Sequence, residues 1–129
     1  MLNLMIIQNY ISQMNNIIQF EIPAFNPEKT VEFYSNCFDW NIKKSESSKE
    51  PYWIIETSSN GISGGITRKR THDQPLVNTI QVESIDKTIE LIEDNDGEII
   101  VPKTYLPKQG YIIYFKDPED NVFACMELI

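Results

Sequence analysis

The spacing of apolar and polar positions along this chain switches repeatedly between strand and helix periods. Ile17–Ile22, rich in β-branched and aromatic residues, predicts a strand. Pro23 to Phe25 leaves it, and Asn26-Pro27 marks a helix start, with Asn as N-cap and Pro pre-set for the first helical position. Val31, Tyr34 and Phe38 then recur at helical spacing on one face, with Phe33 and Cys37 beside them. Trp40–Lys43, Tyr52–Thr57 and Ile62–Lys69 read as three further strands, separated by the polar stretch Ser45–Pro51 and the turn Ser58–Gly61.

The second half follows the same order. Leu76–Val82 predicts a strand and Ser84 an N-cap, and Ile85, Ile89 and Ile92 line one face of a helix. Gly97 suits a left-handed C-terminal cap. Glu98–Val101 reads as a strand, Pro102 to Gln109 as a loop with two prolines, and Gly110–Lys116 as a strand. Asp117–Asn121 is a proline turn and Val122–Leu128 the closing strand.

Both halves thus give β-α-β-β-β, and the residues themselves repeat. Glu-Lys-Thr-Val-Glu-Phe-Tyr at 28–34 returns as Asp-Lys-Thr-Ile-Glu-Leu-Ile at 86–92, an offset of 58. The same offset sets Ile42 on Ile100 and Trp53-Ile54-Ile55 on Tyr111-Ile112-Ile113. A chain built from two copies of one unit places its site where the copies meet. The expected organisation is an extension over 1–13, a first module over 14–69, a linker over 70–75 and a second module over 76–129, together one compact domain. Met14 stands just before the first strand pattern as an alternative start. The extension's apolar residues (Leu2, Leu4, Met5, Ile6, Ile7, Tyr10, Ile11) call for a partner surface.

Charge narrows the function. A net charge of −8 over 129 residues argues against nucleic acid and anionic membranes as partners. The local run Arg68-Lys69-Arg70 reads as a solvated loop in preference to an anion contact. No apolar run approaches the ~20 residues of a membrane span, and the N-terminus lacks the basic region and cleavage site of a signal peptide. Cys37 and Cys125 have no metal-type spacing, so unpaired thiols in a reducing cytoplasm are expected.

Several stretches together resemble the vicinal oxygen chelate superfamily, the glyoxalase, bleomycin-resistance and extradiol-dioxygenase group. They are Phe20-Glu21-Ile22-Pro23, Glu32-Phe33-Tyr34, Phe38-Asp39-Trp40, Gly64-Gly65-Ile66, Gln74-Pro75-Leu76-Val77-Asn78, and the run from Lys116 to Phe123. One departure is Asp120, where relatives commonly carry Gly; Asp tolerates the left-handed turn, so the turn should form. The resemblance implies an α+β fold of two β-α-β-β-β modules curling into an open, U-shaped half-barrel around a cavity, and homodimers are frequent among members of this size.

Metal-using members of that group place ligands on the first and last strands of each module. Carried over, those slots are Ile17, Ile66, Val77 and Ala124, none of which can coordinate a cation. Sliding by one residue gives Thr67, Asn78 and Cys125, still with no carboxylate or imidazole, and the single histidine, His72, lies in the linker. The expectation is therefore no metal and no cofactor.

Strand alternation sets Ile17, Gln19 and Glu21 on one face and Val77, Thr79 and Gln81 on the matching face of module two. If the ligand slots that the resemblance implies face the cavity, Gln19, Glu21, Thr79 and Gln81 are its polar groups, with Trp53, Tyr111 and Tyr114 as candidate aromatic walls, a mixture that suits a small organic ligand. Glu21 has two readings. Inside an apolar cavity its pKa rises and it binds a cation or acts as a base; at a strand end it is merely solvated or paired with a nearby lysine. Three functions stay open: a binding protein without a metal, a metal-dependent lyase or isomerase resembling glyoxalase, and an enzyme without a metal that uses Glu21, or a module whose surface binds a partner.

Overall fold

The computed structural model describes residues 13–129. The expectation for the apolar N-terminal extension falls almost wholly outside them. Two compact units are present among the described residues: Gln19–Val77, and Asn78–Ile129 joined by residues 13–18.

The first unit contains β1 (Ile17–Ala24), α1 (Pro27–Phe38), β2 (Asn41–Lys44), β3 (Tyr52–Glu56) and β4 (Ser63–Arg68). Its strands lie in the order β2-β3-β4-β1. β1 runs parallel to β4 and the other pairs are antiparallel. Helix α1 starts where the sequence demands: the Asn26 side chain accepts from the Lys29 N–H, and Pro27 occupies the first turn. It ends at Asp39, which takes the left-handed conformation at φ 57°. The face of the strands beneath α1 carries the core, formed by Ala24, Trp53, Ile55 and Ile66 with Phe20, Ile22, Val31, Trp40 and Ile42 packed against them. Trp40 stacks on Tyr34 with ring centroids 5.2 Å apart and planes at 6°, tying the helix to the strand after it. Phe33 and Phe38 stay exposed, Phe38 with its ring beside those of Tyr34 and Trp40.

The second unit repeats the order with β5 (Val77–Gln81), α2 (Ile85–Asp94), β6 (Glu98–Leu106), β7 (Gly110–Lys116) and β8 (Val122–Leu128). Its strands lie as β5-β8-β7-β6, with β5 parallel to β8. Ser84 caps α2 by accepting from the Lys87 N–H, and Glu127 accepts the N–H of Ile85 at 2.8 Å. Val82, Ile85, Ile113 and Cys125 form the core under this helix, joined by Ile80, Ile89, Ile92, Ile99, Tyr111 and Phe115.

Two local expectations differ from the structure, and a third is met. β6 continues to Leu106 although Pro102 predicted a loop. It is the outer strand of its four, with register shifts on either side of Val101, and there a missing N–H is tolerated. The left-handed residue after α2 is Asp96, at φ 67°, and not Gly97. Gly97 is needed for closeness instead, since a Cβ there would stand 2.5 Å from Ile92 Cγ2. The proline turn forms with Asp120 left-handed at φ 66°. Asp117 holds that turn by accepting from the N–H groups of Glu119 and Asn121 and from the Asn121 side chain, which keeps its carboxyl below the ordinary value.

Candidate functional site

Each unit has one strand face under its helix and one facing away, and strand alternation assigns every candidate to one of them. In the first unit Phe20, Ile22 and Ala24 of β1 lie under α1, so Gln19 and Glu21 face away. The register then puts Glu21 beside Gly65, and Gly65 beside Ile54; one row over stand Pro23, Thr67 and Tyr52.

Glu21 and Tyr52 meet across the gap that Gly65 leaves. A Cβ on Gly65 would collide with the Tyr52 phenol, so glycine leaves room for that phenol to cross β4 and donate its hydroxyl to the Glu21 carboxylate. Burial pushes the Glu21 carboxyl above its ordinary value, and the Tyr52 hydrogen bond opposes part of that rise. On the same face the Thr67 hydroxyl oxygen is buried and has no hydrogen-bond partner among the described residues. A half-buried carboxyl, a phenol and an unpaired hydroxyl thus share one small area with the exposed side chain of Ile54.

Trp53, expected as an aromatic wall beside Glu21, lies on the opposite face. It is buried in the core under α1, with Lys44 Nζ 5.4 Å from its ring centroid. Tyr111, its counterpart in the repeat, is likewise on the helix side of the second unit, with Lys103 Nζ 4.6 Å over its ring. The parity of the strands explains both, because aromatic content alone does not say which way a side chain points. The aromatic group on the Glu21 face is Tyr52, one position earlier. The signal for it was Gly65: two consecutive glycines in a strand mark a place where something bulky crosses the backbone.

In the second unit Thr79 and Gln81 face away from α2, as Ile80 and Val82 lie under it. The register aligns Thr79 with Ala124 and Ala124 with Tyr114, so these three share a row; Gln81, Met126 and Ile112 form the next. Thr79 and Gln81 are buried, and neither amide atom of Gln81 has a hydrogen-bond partner among the described residues.

The divalent metal that the family resemblance implies does not fit these side chains. Ile17, Ile66, Val77 and Ala124 are aliphatic, and Ile66 is fully buried in the core under α1, on the face opposite Glu21. The neighbour that shares the Glu21 face is Thr67. Among the described residues no three of His, Cys, Asp and Glu are grouped to hold a cation. His72 instead stacks on the exposed ring of Phe25, centroids 6.3 Å apart. Cys37 is an exposed free thiol and Cys125 a buried one. No helix among the described residues is long and apolar enough to cross a membrane.

Comparison with known proteins gives a consistent placement. Residues 16–125 match the family model described as the Glyoxalase/Bleomycin resistance protein/Dioxygenase superfamily. Among solved structures, a protein described as the NAD-dependent benzaldehyde dehydrogenase from Legionella pneumophila is 23% identical, with a TM-score of 0.62, over 86% of this chain and 98% of that one. Methylmalonyl-CoA epimerase from Mycobacterium tuberculosis is 7% identical with a TM-score of 0.67, over 91% and 90%. A glyoxalase/bleomycin resistance protein/dioxygenase superfamily member from Vibrio splendidus 12B01 is 12% identical with a TM-score of 0.62, over 84% and 95%. At these identities the likeness concerns the fold.

Proposed function

Because the chain belongs to the glyoxalase/bleomycin resistance protein/dioxygenase superfamily, we propose that it binds a small organic molecule without a metal, with Glu21 as its principal polar anchor. The observation that carries this reading is the Glu21–Tyr52 pair over Gly65, next to the unpartnered hydroxyl of Thr67. A carboxyl kept half out of water, with one lone pair engaged by a phenol, retains acceptor capacity for a ligand N–H or O–H. Thr67 adds a donor and acceptor whose burial cost is recovered when a ligand pairs with it. Family ligand slots filled by aliphatic side chains support a mode of binding that needs no cation.

A second reading rests on the same carboxyl. A raised pKa brings a glutamate closer to the range in which it exchanges protons near neutrality, as a general base must. In that reading the protein is an isomerase or lyase without a metal, and Glu21 takes a proton from the substrate and returns it.

A thermal-shift screen of small molecules and divalent metals, run on the wild type and Glu21→Gln, tests both readings. Binding without a metal predicts organic ligands that raise the midpoint, no response to chelator, and weaker shifts in the variant. One equivalent of Ni, Zn, Mn or Fe found by elemental analysis of purified protein would sink it. Once a ligand is known, turnover abolished in Glu21→Gln with binding retained would favour the catalytic reading.

A further inference from the structure

The second unit carries a cavity that is separate from the residues above and chemically unlike them. It has a volume of about 250 Å³ and lies between the end of α2 and the turn after β7. Leu91, Ile92, Phe115 and Pro118 supply its apolar lining with the backbone of Gly97, and Asn95, Lys116 and Asp117 its polar edge. Leu91 is 62% exposed, far more than a leucine placed for its own unit's core.

The segment that carries this groove is strongly acidic, although the groove's own charged lining is one lysine, Lys116, and one aspartate, Asp117. Asn78–Ile129 carries eleven carboxylates against four lysines, so nearly all of the chain's net charge of −8 belongs to this segment. Glu90, Glu93, Asp94 and Asp96 cluster along the last turns of α2 and just beyond, and the last turn contains no basic residue. A helix C-terminus already bears partial negative charge, so acids are placed where the helix itself disfavours them. Asp117 adds a carboxylate that its turn hydrogen bonds hold ionised. Two lysines oppose this field. Lys116 lies directly across from Glu98 in the β6–β7 register, and Lys87 sits one turn before Leu91.

We propose that this groove is a binding site for an organic cation with an apolar body, such as an aryl- or alkylammonium. The apolar body fits against Leu91, Ile92, Phe115 and Pro118, while the ammonium rests at the mouth near Asp117 and the acidic end of α2. Attraction to the clustered carboxylates and the helix end offsets desolvation of the ammonium. The surplus of carboxylates on α2 and its end disfavours an anion despite Lys116, and a bare metal ion would find no grouped set of ligands among the described residues. The site is independent of Glu21.

The test uses the full chain with 3-phenylpropylammonium and its neutral counterpart 3-phenylpropanol. Calorimetry and amide chemical-shift mapping should show the ammonium binding, with shifts at Asn95, Gly97, Lys116 and Asp117. The alcohol should bind more weakly, and the ammonium's affinity should fall as salt is added. Leu91→Lys, an exposed substitution that brings its own cation to the groove, should weaken binding about tenfold with the thermal midpoint unchanged. Glu21→Gln should leave it unaltered. Equal binding of the alcohol, shifts mapping elsewhere, full affinity in Leu91→Lys, or binding of long basic peptides but not of the amine would each overturn the proposal.

Discussion

The Tyr52 hydroxyl reaches the Glu21 carboxylate only because residue 65, directly beside Glu21 in the parallel pairing of β1 and β4, has no side chain. Gly65→Ala should therefore act on two things at once. Its methyl displaces the Tyr52 ring, costing about 1–3 kcal/mol of stability as overpacking does, and it breaks the contact with Glu21. Chemical denaturation measures the first effect, and the acid titration of Glu21 by NMR measures the second. An alanine variant of wild-type stability with an unchanged Glu21 titration would contradict this geometry.

The pH dependence of stability follows from the raised Glu21 pKa. Between the ordinary glutamate value of 4.5 and the higher folded value, the folded chain holds a proton that the unfolded chain has released. Stability contributed by this group is thus greatest at acid pH, falls as pH rises through that window, and is constant above it. Glu21→Gln should be more stable than wild type at neutral pH and equal to it below the ordinary value. Removing the Tyr52 hydrogen bond with Tyr52→Phe should widen the window upward. Thermal unfolding of the three proteins across this range checks the sign, and a destabilised Glu21→Gln at neutral pH would reverse it.

Gln81 is fully buried with both amide atoms unpaired among the described residues. Leaving a buried polar atom without a partner costs about 1–3 kcal/mol. Gln81→Met, similar in shape and without those atoms, is expected to raise the unfolding free energy in denaturant. A loss of stability would mean that the amide contributes a favourable interaction in the folded chain.

The two thiols should differ sharply. Burial pushes Cys125 up to about 11, which keeps it protonated and shielded, whereas Cys37 is exposed at the end of α1. A thiol reagent at mildly alkaline pH should modify Cys37 quickly and Cys125 only once denaturant unfolds the second unit. Two equivalents reacting at one rate in the native protein would argue against this core.

Much of the fold was legible because local signals repeated. Asn26-Pro27 and Ser84 start their helices, and the stretch from Lys116 to Phe123 folds into the expected turn. Helix α2 buries Ile85 and half-buries Ile89 and Ile92 as their spacing predicted. The candidate site was read less well, for a geometric reason. Side-chain direction in a strand reverses with every residue, so placing Trp53 and Tyr111 required knowing the register, which their β-branched neighbours do not fix. The faces of Glu21, Thr79 and Gln81 follow by alternation from Ile17 and Val77, the slots that the family resemblance supplies. Tyr52 was missed because its role depends on what is absent at position 65.

The lysines above the two core rings have a consequence for the outer strands. β2 and β6 each end their set of four, and an end strand offers unpaired backbone groups to any passing chain. Lys44 on β2 and Lys103 on β6 set their ammonium groups over the rings of Trp53 and Tyr111 and so keep charge at that margin. On β6 the register shifts and Pro102 break the ladder further. The lysines that sit over the rings of Trp53 and Tyr111 thus also discourage strand-to-strand aggregation, and both duplicated halves place one on their outer strand.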